Sequence, residues 1–492
     1  MKKVSIVSFV FVLISLSAFT QEIVHIDIQK AQAIAQGKSI RSNGAKSSFR
    51  SSLWQFKSFK AEFLPSLTLK ATPLSFNRSI SQRYNFVTNQ DEFREIQNIE
   101  NFLGFSLRQN IGILGGTIYM DSNLDRLQTF TGEGNISYSS TPIRVGYSQK
   151  LFGFNKFKWM KKQEPLKYEL AQKKYTETVE QISEEVVRLF FELAISKSSL
   201  ELSKTKLNNI DTLHILEQRK LKIGSASIND VKHLELNKIN ANIEVQKEVR
   251  NVKRASLKLS SYLRIDENTK YVLSLPEKLL DIHINDEEIK NLLVNNHPKT
   301  LALKLKELNT ERSLAEAKAS RWGSSNLNLS YGLNQSANNL SDAFINPLDQ
   351  QKLRITLEMP ILDWGLSKGK YKIALSNRDE TLSQIKQERI DYEEELRVQL
   401  IEFQLQRNMV LSAKKAKELG KDVYNTATNQ YLNGNINLSK LNDVAYSWEK
   451  AEKNYINALK EYWTKYYTLK RLTLFDFETK TQINHSIEKL KF

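Results

Sequence analysis

Histidine and aspartate are the side chains here best suited to metal binding or proton transfer, and several lie near one glycine. His214 and His233 stand almost symmetrically on either side of Gly224, and Asp230 follows that glycine by six residues. None of the six histidines forms a His-x-x-x-His pair, the spacing that places two metal ligands on one helix face. Exposed surface positions therefore explain His214 and His233 better than a metal site does.

The chain also lacks the common motifs of catalysis. It has no phosphate-binding glycine loop, no nucleophile elbow and no recognisable pair of catalytic carboxylates. It contains no cysteine, which excludes disulfides, thiolate catalysis and a lipidated cysteine. We therefore predict that the protein is not an enzyme and has no catalytic residues, no cofactor and no metal.

The first 20 residues predict export. Lys2 and Lys3 precede an apolar segment at 4–19, and Ala18-Phe19-Thr20 offers small residues at the usual cleavage distance. Cleavage of this signal peptide would lower the formal net charge from +17 to about +15. No later segment reaches the roughly 20 apolar residues of a membrane-spanning helix, which leaves a periplasmic, a secreted or a β-barrel protein.

The basic balance does not predict nucleic-acid binding. The 72 Lys and Arg residues are spread along helical segments among many glutamates, and the signal peptide directs the chain away from nucleic acid. We interpret most of these charges as the solvated faces of helices.

The elements that position these residues occur twice, at an offset of about 210 residues. Residues 149–154 align with residues 359–364, and residues 222–228 align with residues 432–438. Two matches at one offset mean that the segments between them have the same length, so each half is one structural unit.

Between these landmarks the chain predicts long helices. From about residue 156 to residue 221, apolar and small side chains follow a 4-3 spacing, interrupted only by Pro165. The seam resumes after Gly224 as a returning helix of about 36 residues, and the second half repeats both helices around Gly434. Shorter helices are predicted at about 39–62 and 299–321. The first seam comprises Tyr175, Val179, Ile182, Val186, Leu189, Leu193, Ser196, Leu200, Ser203, Leu207 and Ile210.

Four segments alternate apolar and polar residues, which predicts four strands. They lie near 67–70, 143–148, 327–334 and 353–359. An apolar outside and a polar inside suit a barrel, but four strands cannot close one, because about eight are the usual minimum. Oligomerisation is therefore implied. The first half has an insert at 77–134 that contains a possible extra hairpin, for which the sequence gives no position relative to the barrel.

Taken in order, these elements resemble the TolC family of outer-membrane efflux proteins. The matching segments are 63–69 before the first strand, 296–298 before a helix, 359–365 after the last strand and 431–434 at the second turn. The resemblance extends from about residue 23 to residue 475. The ordered set is specific, although no single motif is.

The resemblance implies a mixed α/β membrane protein with four β-strands per chain. Three chains would form a 12-stranded β-barrel, continuous with a long antiparallel coiled-coil helical tunnel. The implied organisation is a signal peptide (1–20), a first repeat (21–265), an equatorial linker (266–298), a second repeat (299–475) and a C-terminal tail (476–492).

The function implied is that of an outer-membrane channel in a tripartite efflux or type I secretion system. Its partners would be two further copies of itself, outer-membrane lipid, a periplasmic adaptor (membrane fusion) protein and, through the adaptor, an inner-membrane RND or ABC pump. The alternative is a periplasmic coiled-coil adaptor or scaffold protein, which would lack two matched sets of alternating strands.

The resemblance also implies roles for residues at the two helical turns. The turns would dock the adaptor through Gly224, Ser225, Gly434 and Asn435. The periplasmic gate would involve Asp230, Tyr431, Asp443 and Lys440. In a trimer Asp230 would recur three times around the axis, and a ring of carboxylates favours cations.

Two residues at the second turn depart from the family pattern. Lys440 occupies the position of the acidic residue that Asp230 represents in the first half, with Asp443 one turn further on. Ile436 stands where a basic residue is often found. The constricting network of the family is therefore expected to be only partly present.

Overall fold

A computed structural model describes residues 23–130, 134–151, 153–267, 269–276, 278–280 and 296–485, together with residues 282 and 292. Outside these residues lie the predicted signal peptide, most of residues 281–295 of the predicted linker, and the end of the predicted C-terminal tail. By backbone proximity the chain divides into two compact units. Among the described residues, the first unit includes 23–45, 177–280 and 396–483, and the second includes 46–176, 296–395 and 484–485.

The described residues form seven α-helices, of which four are long. They are α1 (Ile28–Lys38), α2 (Ile40–Ala61), α3 (Lys156–Lys222), α4 (Ile228–Leu263), α5 (Pro298–Ser320), α6 (Leu366–Leu432) and α7 (Leu438–Thr473). Helices α3 and α6 have 67 residues each, and α4 and α7 have 36 each. Both ends of α6 and of α7 lie 210 residues after the corresponding ends of α3 and α4.

The sequence accounts for these helix lengths. The interior of α3 contains one proline, Pro165, near its N-terminus, and the helix continues through it. Seam residues such as Ile182, Val186 and Leu193 are fully buried, as a 4-3 pattern predicts. The short helices α2 and α5 begin and end within two residues of the bounds expected from the sequence.

The second unit contains one antiparallel sheet of six strands. These are β2 (Ser66–Asn85), β3 (Gln90–Ile111), β4 (Gly116–Thr129), β5 (Asn135–Lys150), β7 (Ser324–Ala337) and β8 (Leu348–Glu358), hydrogen-bonded in that order. A 3₁₀ turn at Asp342–Phe344 joins the last two strands.

The expectation of four strands per chain is corrected by this sheet. The four expected strands are β2, β5, β7 and β8, and the insert at 77–134 supplies β3, β4 and the outer half of β2. The sequence pattern of an inserted hairpin shows that two strands form, but it does not show what they pair with. Here both outer sides of the hairpin are satisfied, because β3 bonds to β2 and β4 bonds to β5.

The first unit has its largest buried side chains near the C-terminal end of α7. Tyr462, Tyr466 and Leu459 are almost completely buried there. Two strand pairs that the sequence did not predict also belong to this unit. Strand β1 (Ile23–Ile26) pairs in parallel with β6 (Lys270–Leu273), and β9 (Phe475–Asp476) pairs with β10 (Thr481–Gln482).

Within the part of the chain that the structure describes, no helix is both long enough and apolar enough to cross a membrane.

Candidate functional site

The two long helical hairpins end in turns of the same design. Gly224 and Gly434 have φ angles of +77° and +76°, which a glycine adopts without the steric cost that a side chain would add. In each turn the glycine N–H donates to the carbonyl three residues earlier, and the next N–H donates to the carbonyl five residues earlier. This pair of bonds is the Schellman motif, which ends a helix and satisfies its last carbonyl groups.

The residue that begins each returning helix is a polar cap. The Ser227 side chain accepts a hydrogen bond from the Asn229 N–H, and the Asn437 side chain accepts one from the Lys440 N–H at 2.9 Å. Such caps satisfy N–H groups that the first turn of a helix leaves unpaired. The two turns therefore follow from local sequence, with a glycine at the end of one helix and a capping residue at the start of the next.

The four predicted docking residues, Gly224, Ser225, Gly434 and Asn435, are exposed. Apolar side chains beside them are exposed as well. Ile223 is 79% exposed and Ile228 is 59% exposed, on either side of the first turn, and Leu432 is 55% exposed at the second turn. Large apolar side chains at the end of a hairpin have no packing role within this chain, and such exposure is typical of a contact surface.

The predicted gate residues do not all occupy the same kind of environment. Asp230, Lys440 and Asp443 are exposed. Tyr431 is buried, and its pKa is raised from the ordinary value by burial and by the negative charges of Glu217 and Asp230. The structure therefore places Asp230 close enough to act electrostatically on Tyr431.

Tyr431 belongs to an apolar cluster to which all four hairpin helices contribute. We call it the tip cluster, and it consists of Leu213 on α3, Leu234 on α4, Ala427 and Tyr431 on α6, and Leu441 on α7. Each of these side chains is less than 9% exposed. The Lys220 ammonium lies 5.7 Å from the centre of the Tyr431 ring. The two hairpins are thus joined near their turns by apolar packing. Added salt weakens exposed ion pairs, but it does not weaken this packing.

Polar contacts join the same helices next to the tip cluster. The Asn209 amide donates a hydrogen bond to the Tyr424 hydroxyl, which connects α3 to α6. The Tyr424 ring stacks on Trp448 of α7, with ring centres 4.7 Å apart and planes 17° apart. On the first hairpin, Lys238 forms an ion pair with Asp211 at 2.5 Å.

No sequence pattern marks Asn209 or Tyr424. Trp448 has the 4-3 spacing of the returning helix in the second half, but the sequence does not show which residue of another helix faces it. These three side chains also line a cavity of about 430 Å³ between the helices.

The two histidines near the first turn do not form a joint site. His214 is hydrogen-bonded to Gln218, and His233 to Asn237, each one turn along its own helix. Among the described residues, no group of three or more His, Asp or Glu side chains is arranged to hold a metal ion.

The six-stranded sheet has one apolar face and one polar face. The apolar face is exposed in the single chain, with Leu67 at 70%, Leu353 at 66% and Ile355 at 61%. Strand registers place further apolar residues on the same face, namely Leu69, Leu103, Phe105, Leu107, Ile118, Met120, Leu124, Val145, Leu329 and Leu357. Water does not stabilise so large an exposed apolar surface, whereas lipid does.

The opposite face carries polar and charged side chains. Arg144 and Asp121 form an ion pair on it at 2.9 Å. A cavity of about 720 Å³ opens on this face, lined by residues that include Lys70, Glu100 and Asp125. A polar face with a cavity on one side and an exposed apolar face on the other is the arrangement of a wall between water and lipid. Further basic side chains on this face are Arg108, Lys352 and Arg354.

Comparison with known families supports the resemblance inferred from the sequence. Residues 293–473 match the profile of the family described as Outer membrane efflux protein, whose members are channels. This segment contains α5, β7, β8, α6 and all of α7. A sequence comparison with curated proteins found no match.

Solved structures of outer-membrane channels share the fold. A membrane protein from Pseudomonas aeruginosa superposes with a TM-score of 0.66 at 16% identity, over 92% of this chain and 91% of that one. The CmeC outer membrane channel of Campylobacter jejuni gives 0.66 at 14% identity, over 94% and 88% of the two chains. The outer membrane protein VceC of Vibrio cholerae gives 0.62 at 13% identity, over 91% and 95%.

These findings confirm the predicted resemblance and the predicted mixture of long helices and barrel-type strands. They favour the outer-membrane efflux channel over the periplasmic adaptor, because the similarity extends over the strands as well as the helical hairpins.

Proposed function

We propose that this protein is the outer-membrane channel of a tripartite efflux or type I secretion system. It passes substrates from the periplasm, or from an inner-membrane RND or ABC pump, to the exterior. The observation that carries the proposal is the sheet with an exposed apolar face, a polar face with a cavity and two edges without a partner in the described chain. Such a sheet becomes stable when further copies close it into a barrel within lipid.

The channel would be a homotrimer, as the resemblance implies. In vivo cross-linking, followed by separation of inner and outer membranes, tests this assembly. We expect the protein in the outer-membrane fraction, as a trimer whose migration on gels changes after heating. Recovery of only monomers in the soluble periplasmic fraction would instead support the adaptor alternative.

At the periplasmic end, the two glycine turns would dock an adaptor protein. Support for this role comes from the exposed apolar side chains beside the turns and from the identical Schellman geometry of Gly224 and Gly434. A partner can bury Ile223 and Ile228 without changing the backbone of the turn. Their burial would contribute about 1.5–3 kcal/mol each to binding.

The docking test introduces a charge without disturbing the turn. Ile223→Asp should abolish adaptor cross-linking and raise dye accumulation in cells, while trimers still reach the outer membrane. Gln246→Asp is the matched control, since it adds the same charge at an exposed site on α4, about 27 Å from Ile228 along the helix. Equal adaptor binding by both variants would place the docking surface elsewhere.

The gate would lie immediately beside these turns. Asp230, Lys440 and Asp443 would supply charges around the opening, and Tyr431 would hold the two hairpins together through the tip cluster. Asp230→Asn should lower the preference for cations in planar bilayers if Asp230 forms a ring of three carboxylates. Unchanged ion selectivity would remove Asp230 from the gate.

A further inference from the structure

The hairpin formed by β3 and β4 is part of the wall of the sheet. Leu67 of β2 is opposite Leu107 of β3, Leu107 is opposite Met120 of β4, and Met120 is opposite Val145 of β5. The ladders between these strands run over most of their lengths. The hairpin therefore lies between β2 and β5, and it separates these two strands completely.

The inner turn of this hairpin, residues 112–115, is fixed to the chain on both sides. The Asn110 amide donates a hydrogen bond at 2.8 Å to the carbonyl of Glu62, just before β2 begins. The Gln149 amide donates one, also at 2.8 Å, to the carbonyl of Leu114 from the end of β5. The turn thus fills the space between the segment that enters the sheet and the segment that leaves it.

The two faces of the sheet continue across the hairpin without a break. Leu103 and Phe105 on β3 and Ile118 on β4 are between 45% and 49% exposed, on the same face as Leu67. The polar face continues in the same way, and the cavity of about 720 Å³ is lined by residues of β2, β3, β4, β5 and β7. A hairpin that folded into the barrel interior would not present an apolar face aligned with the apolar faces of β2 and β5.

The two edges of the sheet are complementary to each other. Strands β2 and β8 run in opposite directions, because the sheet has six strands and every neighbouring pair is antiparallel. Their apolar residues also lie on the same face, with Leu67 and Leu69 on β2 and Ile355 and Leu357 on β8. The β8 edge of one copy can therefore pair antiparallel with the β2 edge of the next.

We propose that three copies close an eighteen-stranded barrel, an inference that rests on the proposed function. Each copy contributes six strands and pairs its β8 with the β2 of the next copy. At a strand spacing of about 4.8 Å and a tilt of about 40°, twelve strands give a backbone diameter of about 24 Å and eighteen give about 36 Å. After allowance for inward side chains, the open width rises from about 14 Å to about 26 Å. The outer end of the duct becomes a wide aqueous vestibule rather than a narrow pore.

Disulfide mapping tests the strand order, and the chain is suited to it because it contains no cysteine of its own. The pair Leu67→Cys with Leu107→Cys should form a disulfide within each chain. The pair Leu67→Cys with Val145→Cys should not, because three strand spacings, about 14 Å, separate these positions. A twelve-stranded barrel with the hairpin outside the wall would reverse the two results.

Closure between copies is tested by a third set of variants. Leu357→Cys combined with Leu67→Cys or Leu69→Cys should shift the chain to a covalent trimer on a denaturing, non-reducing gel. Single-cysteine variants are the controls, because one thiol per chain cannot link three copies into a ring.

The possible failures are distinguishable. An outer-membrane trimer that links 67 to 145 would overturn the eighteen-stranded barrel and leave the channel function standing. A trimer that links 67 to 107, but never 357 to 67 or 69, would overturn closure through the β2 and β8 edges. A protein that does not trimerise or reach the outer membrane would overturn the proposed function itself.

Discussion

An arginine on the apolar face of β8 should weaken the membrane form of the protein. Ile355 is 61% exposed, lies opposite Leu327 of β7 and has Leu353 and Leu357 as its neighbours on the same face. Ile355→Arg would place a guanidinium in the middle of this apolar run, with no acidic group beside it on that strand. An arginine on the lipid-facing side of a barrel strand, near the bilayer midplane, destabilises the inserted protein by about 2–4 kcal/mol. That cost corresponds to a reduction of about 30- to 700-fold in the equilibrium for insertion of one chain.

The matched control is Thr356→Arg, the same substitution one residue further on and on the opposite face. Thr356 is exposed and lies opposite Asn326, so the added charge would face water. Both variants should be expressed and reconstituted into lipid vesicles. The fraction of trimer that stays intact in detergent without heating is then measured on a gel. We expect the control to match the parent protein and Ile355→Arg to lose most of its trimer. Equal losses, or none in either variant, would refute the assignment of this face to lipid.

Three further outcomes follow from the first unit. Tyr431→Ala should remove about 3 kcal/mol of packing from the tip cluster and raise single-channel conductance, whereas Tyr431→Phe, which keeps the ring, should change neither. Asn209→Ala should increase hydrogen exchange in α3 and α6 near the turns, and Tyr424→Phe should do the same, because either change removes the hydrogen bond between the two hairpins. Burial disfavours the charged form of Asp476, but the ion pair with Lys470 and the hydrogen bonds from the Glu478 and Thr479 N–H groups together outweigh burial and lower the pKa from its ordinary value. A lowered folded pKa stabilises the protein above the unfolded pKa, so the thermal stability lost by Asp476→Asn should be constant at neutral pH and shrink as the pH falls below about 3.8.

The helical part of the fold could be predicted closely from the sequence. The lengths of α3 and α6 follow from a long 4-3 pattern that ends at a glycine, and α4 and α7 begin at the capping residue that follows each glycine turn. These signals are local, because a helix satisfies its own backbone hydrogen bonds and a glycine at positive φ ends it whatever the rest of the chain does. The positions of Gly224 and Gly434 at exposed turns follow from the same local rules.

Strand pairing and the packing between helices required the tertiary structure. The sequence indicates a possible extra hairpin in the insert at 77–134, but the hydrogen-bond partners of a strand lie on another segment. Only the folded sheet shows that the hairpin separates β2 from β5. The parallel pair of β1 and β6 joins segments almost 250 residues apart in sequence, a distance over which no local pattern carries information.

The same distinction applies at the candidate gate. The sequence determined that Asp230, Tyr431, Lys440 and Asp443 lie beside helical turns, because the turns are encoded locally. Only the tertiary structure decided that Tyr431 is buried in a cluster to which four helices contribute, while the three charged residues stay exposed. A heptad pattern fixes which face of a helix is apolar. The partner of each side chain depends on the relative rotation and register of neighbouring helices, and these are set by the packing of the whole unit.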